Sequence, residues 1–175
     1  GFLADANLGS AGIILNITMV CLFTLFSRSA MPNLPDQETT TRALSTITRA
    51  IDSLKKPDPQ VLFLTDRHLL TFGYVREVKL IPEYERVFLM EMAMSGQPEY
   101  LDRFHNDLRN HRFDLIISEP LYIQEKGQGE RFGEENDAWV DQVSEEVLCY
   151  YKPRTLIKDV RIQILIPRAN PGDCQ

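Results

Sequence analysis

The chain has 175 residues, with 25 acidic against 19 basic side chains and a formal net charge of −6. That length suits one domain plus an appendage, at roughly 100–200 residues per domain. The acidic balance, with both signs interspersed, argues against a nucleic-acid partner, which would want a basic face.

No charged side chain occurs between Asp5 and Arg28. The apolar run 11–27 therefore predicts a helix crossing a hydrocarbon layer of ~30 Å, where the backbone must satisfy its own hydrogen bonds. A signal peptide would need a basic leading region, and nothing before Arg28 is basic. Starting at Gly1 and not at Met, residues 1–28 read as the last transmembrane helix of a longer membrane region. Residues 29–60 read as an exit linker and an amphipathic helix. Pro32 and Pro35 mark the linker, and Leu44, Ile47, Ile51 and Leu54 form one apolar stripe. Thr39 to Thr41 offer N-caps, Lys55 and Lys56 suit the negative end of the helix dipole, and Pro57 and Pro59 stop it.

Residues 61–168 are expected to form the soluble domain, with 169–175 a frayed tail. Val61 to Thr65 is a short apolar run, the pattern of a buried strand in a parallel sheet. Weaker strands are expected over 69–74 and 78–81. A helix follows over 83–95, with Val87, Met90 and Met94 on one face and the methionines serving as core filler. Pro98 opens the next helix, whose buried stripe is Leu101, Phe104 and Leu108. Phe113 to Ser118 is the clearest strand, so strand, helices and strand make a right-handed crossover. A polar, glycine-bearing loop covers 124–137, then a short helix 138–144 and two last strands, 147–151 and 160–166. The predicted fold is α/β: a three-layer Rossmann-like domain with a mainly parallel sheet, preceded by one transmembrane helix.

Motifs that carry chemistry are scarce. There is no dinucleotide-binding glycine pattern, no Walker loop and no nucleophile elbow, so no catalytic residue and no cofactor are assigned. The cysteines at 21, 149 and 174 give neither a disulfide framework nor a zinc spacing, although a Cys149–Cys174 bridge stays open outside the cytoplasm. His105 and His111 are six apart and do not share a helix face, so no metal site is expected. His68 near Asp66 is a candidate acid/base pair, though solvated turns often look the same. In an open parallel sheet, ligands collect at the carboxyl ends of strands. Asp66 and Glu119 end the two best strands and are the candidate ligand-binding residues; the plainer reading is that each caps a turn.

The strand VLFLTD (61–66), followed by LIPEYERVFLMEMAMSGQPEYLDRFHNDLRNHRFDLIISEP (80–120), resembles the carboxyl-terminal region of multi-pass membrane proteins of the glycosyltransferase C-fold class. Those include the bacterial protein-mannosyltransferase and aminoarabinose-transferase relatives. The helix–strand element Asp107–Ile117, the tyrosines 150 and 151 and the strand ending at Pro167 carry the likeness, which covers most of 61–167. The resemblance implies an integral-membrane enzyme that uses a polyprenyl-phosphate-linked sugar. Its acidic catalytic residue would lie in a first extracytoplasmic loop outside these residues. This chain would then be an accessory domain, with the lipid bilayer as partner and an extracytoplasmic location. Arg28 and Arg42, on the C-terminal side of the apolar run, would by themselves place the domain in the cytoplasm. The alternatives are a membrane-anchored interaction module without catalysis and a small-molecule-binding Rossmann-like domain.

Overall fold

The structure, a computed structural model, describes residues 18–19, 35–76 and 78–171. The chain divides into two compact units, Gly1–Pro35 and Asp36–Gln175. Every strand and helix named below belongs to the second.

Helix α1 (Gln37–Asp52) starts where Asp36 caps it, its carboxylate accepting from Thr39 N at 2.7 Å. That bond from the Thr39 backbone holds the Asp36 carboxyl below its ordinary range. Ala43, Ile47 and Ile51 form its buried face. Strand β1 (Val61–Phe63) is wholly buried. It pairs in parallel with β2 (Leu115–Ser118), in the register Val61 to Leu115 and Phe63 to Ile117. Between them run a short helix α2 (His68–Thr71), a 3-10 turn (Pro82–Tyr84), α3 (Arg86–Ser95) and α4 (Pro98–Arg109). Gly96 closes α3 in the left-handed conformation, φ 60°, its N–H donating to the α3 carbonyls. After β2 come α5 (Gly133–Trp139), a π-turn (Val140–Ser144), α6 (Glu145–Tyr150), β3 (Tyr151–Ile157) and β4 (Ile162–Pro167).

The sheet order is β1-β2-β4-β3, and only β1 and β2 are parallel. This corrects the mainly parallel, Rossmann-like expectation: the sheet is mixed. The reason lies in the connection between β3 and β4, which is only Lys158 to Arg161. A parallel return needs a crossover of a dozen or more residues, so four can only make a hairpin. The expectation of a preceding transmembrane helix is corrected as well: among the described residues no helix is long and apolar enough to cross a membrane. The run 11–27 itself lies outside the described residues apart from Thr18 and Met19.

Three local expectations also change. Residues 68–71 are helical and 78–81 form no strand, so the segment after β1 contributes no sheet. Val147 to Tyr150 belong to α6, and extended backbone begins only at Tyr151. On α3 the inner positions are Leu89 and Ala93, while Val87 and Met94 are exposed.

Alternation along the strands splits the core between the two faces of the sheet. Leu62, Leu64, Ile116 and Leu165 pack with Tyr84, Leu89, Phe104, Leu108 and Val147. Val61, Phe63, Leu115, Ile117, Ile162 and Ile164 pack with Ile47 and Ile51 of α1 and with Val75 and Val78. Two polar nodes fix the layers. Tyr151 Oη donates to Phe113 O at 3.0 Å and accepts from Phe113 N at 3.2 Å. Arg112 joins Asp107 and Glu83 at 2.5 and 2.6 Å, and Tyr84 Oη donates to Asp107 at 2.6 Å.

Candidate functional site

Parallel pairing sends β1 and β2 out of the sheet at the same edge, where their chains diverge and leave a crevice. A cleft of about 140 Å³ lies there. Leu64 and Thr65 beyond β1, and Ser118 to Tyr122 at and beyond β2, form one side. Arg86 at the start of α3, Asn136 and Trp139 of α5, and Val140 and Ser144 of the π-turn form the other. Arg161, which precedes β4 with φ 53°, completes the rim.

Three polar atoms of this lining are unusual. Ser118 Oγ, Ser144 Oγ and Asn136 Oδ1 are buried and have no hydrogen-bond partner, and Ser118 and Ser144 are each 1% exposed. Leaving one such group unsatisfied costs about 1–3 kcal/mol. Buried polar groups as a rule are completed by protein, solvent or ligand. Three of them lie in residues that line one cleft, behind a wall whose accessible surface is mainly apolar.

The π-turn helps to build that wall. Its wider spiral places both Val140 and Ser144 on the cleft, and such bulges recur at functional sites. Its Gln142 carbonyl bonds His105 Nε2 at 2.8 Å, which fastens the turn to α4. The polar loop is shorter than the expected 124–137, since α5 begins at Gly133, and it is fastened too. Asp137 accepts from Lys126 N at 2.8 Å and from Gly127 N at 3.1 Å. A Cβ on Gly133 would stand 2.2 Å from Gly127 O, so only glycine fits that crossing. Glu125 is held above the ordinary carboxylate range by its hydrogen bond to Asp141 and by the negative charges of Asp141 and Asp137.

Charge inside the cleft is largely internal. Arg86 Nη1 and Nη2 donate to the two oxygens of Glu119 at 2.8 and 3.4 Å, a fork-on-fork pairing. Arg86 Cζ also lies 5.6 Å from the centroid of the Trp139 ring. Glu119, expected from the sequence to hold ligand, does line the cleft. Asp66 does not: it sits in the turn after β1 with φ 54°, 3.9 Å from His68 Nδ1, and Thr65 takes its place on the wall. His105 and His111 go to separate places, His111 edge-on to the Tyr151 ring. Among the described residues no group of histidine, cysteine or acidic side chains could hold a metal. Cys149 is disulfide-bonded, its partner lying outside the described residues.

Ser118, Asn136, Ser144, Arg86 and Trp139 carried no signal as a motif. Ser118 is the one polar residue of β2, and Trp139 is the one tryptophan of the chain; those were the only hints available. No family model matches the chain, and no curated protein or solved structure is recognisably similar to it.

Proposed function

We propose that this chain is a ligand-binding accessory domain, with the cleft at the carboxyl ends of β1 and β2 as its site, in a membrane glycosyltransferase-like protein that draws on a polyprenyl-phosphate-linked sugar. One observation carries the binding role: a cleft opens at the carboxyl ends of the parallel pair β1 and β2, lined by the paired Arg86 and Glu119 and by Trp139. The parent assignment rests on the likeness of residues 61–167 described above. An extracytoplasmic position is supported by the disulfide at Cys149, since such bonds persist mainly outside the reducing cytoplasm. No hydrolytic or transfer chemistry is assigned to the cleft, because its one carboxylate is committed to Arg86.

A thermal-shift screen of sugars, nucleotides and small carboxylic acids tests the binding role. A ligand at 100 times its Kd stabilises by about 2.7 kcal/mol, which for a domain of this size is a shift of several degrees. Silence across the whole panel would remove the role. The parent assignment has its own test in the coding region upstream of Gly1, which should encode membrane spans and an acidic extracytoplasmic loop. A second reading, a non-enzymatic interaction module, draws on the rings of Phe72 and Tyr74, 73% and 61% exposed after α2. Cross-linking from that loop to the rest of the parent would favour it.

A further inference from the structure

We infer that the cleft and the acidic helix row beside it form a docking surface for a basic polypeptide segment carrying one large apolar side chain, an occupant beyond the small ligand proposed above. An apolar slot, an open stretch of backbone and an unneutralised run of carboxylates meet there. The accessible wall of the slot is mainly apolar, with Leu64, Pro120, Leu121 and Trp139 in its lining. Its volume of about 140 Å³ matches the ~150 Å³ of an apolar cavity that admits benzene, so it fits one side chain of leucine or phenylalanine size. Beside it runs the extended segment 121–125, where Tyr122 and Ile123 are 62% and 63% exposed. Among the described residues the backbone of 122–125 makes no hydrogen bond. Open donors and acceptors next to an apolar slot suit a polypeptide laid alongside, which pairs backbone with backbone and sends one side chain inward. A small molecule would leave that strip bare.

Charge selects which polypeptide. Residues 125–146 hold eight acidic and two basic side chains, a net −6 that equals the charge of the whole chain. Among the described residues none of the eight forms an ion pair. Asn136, Val140 and Ser144 line the cleft. Asp137, Asp141 and Glu145 each follow one of them, on the neighbouring row of the same continuous run of helix. Glu125 meets that row from the extended segment. Its hydrogen bond to Asp141, and the charges of Asp141, Asp137 and Glu145, hold it above the ordinary carboxylate range. Of the two cations in the lining, Arg86 is paired with Glu119, and Arg161 at the rim is outnumbered by the acidic run. Incoming lysines or arginines are attracted to this face, and an acidic segment is repelled.

Titrating the full chain with the blocked peptide KKLKK tests this, against KKGKK, which lacks the apolar group, and EELEE, which reverses the charge. Emission from Trp139, the chain's single tryptophan and part of the cleft wall, is the readout. The expected result is a saturable change with KKLKK that weakens several-fold between ~0.05 and ~0.5 M salt. KKGKK should bind at least about ten-fold more weakly, the worth of one buried leucine, and EELEE should give no saturable change. Asp141→Asn together with Glu145→Gln should weaken KKLKK by about five-fold. Asp52→Asn removes an exposed carboxylate from α1, on the other face of the sheet, and should leave KKLKK binding unchanged. KKGKK binding as tightly as KKLKK would overturn the docking surface by showing that the slot takes no side chain. EELEE binding equally well, or Asp52→Asn weakening KKLKK as much as the paired change does, would overturn it by removing the charge selection. No saturable response to KKLKK would overturn it outright, and a small-molecule hit in the thermal-shift panel would then leave the small-ligand role standing alone.

Discussion

Single side chains in this domain act mainly by satisfying backbone that a short strand leaves open. Tyr151 is the clearest case, fully buried and bonded to both the N–H and the C=O of Phe113 just before β2. Burial pushes its hydroxyl well above the usual tyrosine range, so it stays a neutral donor. Tyr151→Phe keeps the ring and removes both bonds, leaving buried backbone groups unpaired. A loss of about 1–3 kcal/mol is expected, read from urea unfolding at pH 7. Glu125 gives the opposite kind of test. Its proton is held more tightly in the folded chain than at its ordinary value of 4.5, so the charged form opposes folding at neutral pH. Glu125→Gln should therefore raise the melting temperature at pH 7. The gain should shrink as pH falls through the raised value and vanish below 4.5, and a gain independent of pH would contradict the assignment.

At the scale of elements, the cleft wall depends on how the loop around Gly127 crosses the start of α5 at Gly133. Gly133→Ala would force Gly127 O away from its present place. It should cost about 1–3 kcal/mol, as overpacking does, and shift Trp139 emission because α5 must move. A neutral effect on both readouts would mean the crossing is loose. The same scale shows what the sequence could disclose. The stripes of α1 and α4 and the apolar runs of β1 and β2 announce themselves by period and length, and with them the crossover that creates the crevice. Val147 to Tyr151 could not be read this way: five successive apolar residues suit a buried strand or a buried helix equally, and only packing against the first core cluster makes the first four helical. The cleft groups were hidden for a related reason. A serine becomes an unpartnered buried group only through the elements that close over it, and neither Ser118 nor Ser144 is marked by its neighbours in sequence. Glu119 was legible because strand ends are; Asp66, chosen on the same ground, turned aside in a left-handed turn.

Across the whole domain, stability rests on two apolar layers that share one four-stranded sheet, so damage to either layer should be felt globally. Phe104 is fully buried in the layer beneath α3 and α4, and Phe104→Ala should cost about 3–5 kcal/mol. Unfolding should remain a single transition when ellipticity and Trp139 emission are followed together; separate midpoints would mean the layers are independent. The hairpin that made the sheet mixed also settles what its margins can do. One outer strand, β1, has three residues, all buried. The other, β3, carries Pro153 and loses register between Pro153 and Thr155, with Lys152 and Arg154 exposed around the bulge. Proline cannot donate to an incoming strand, and a bulged, cationic border gives a poor template for one. Copies of this domain crowded side by side would therefore resist joining sheet to sheet into fibrillar aggregates, a safeguard that Pro153→Val should weaken visibly in a light-scattering time course.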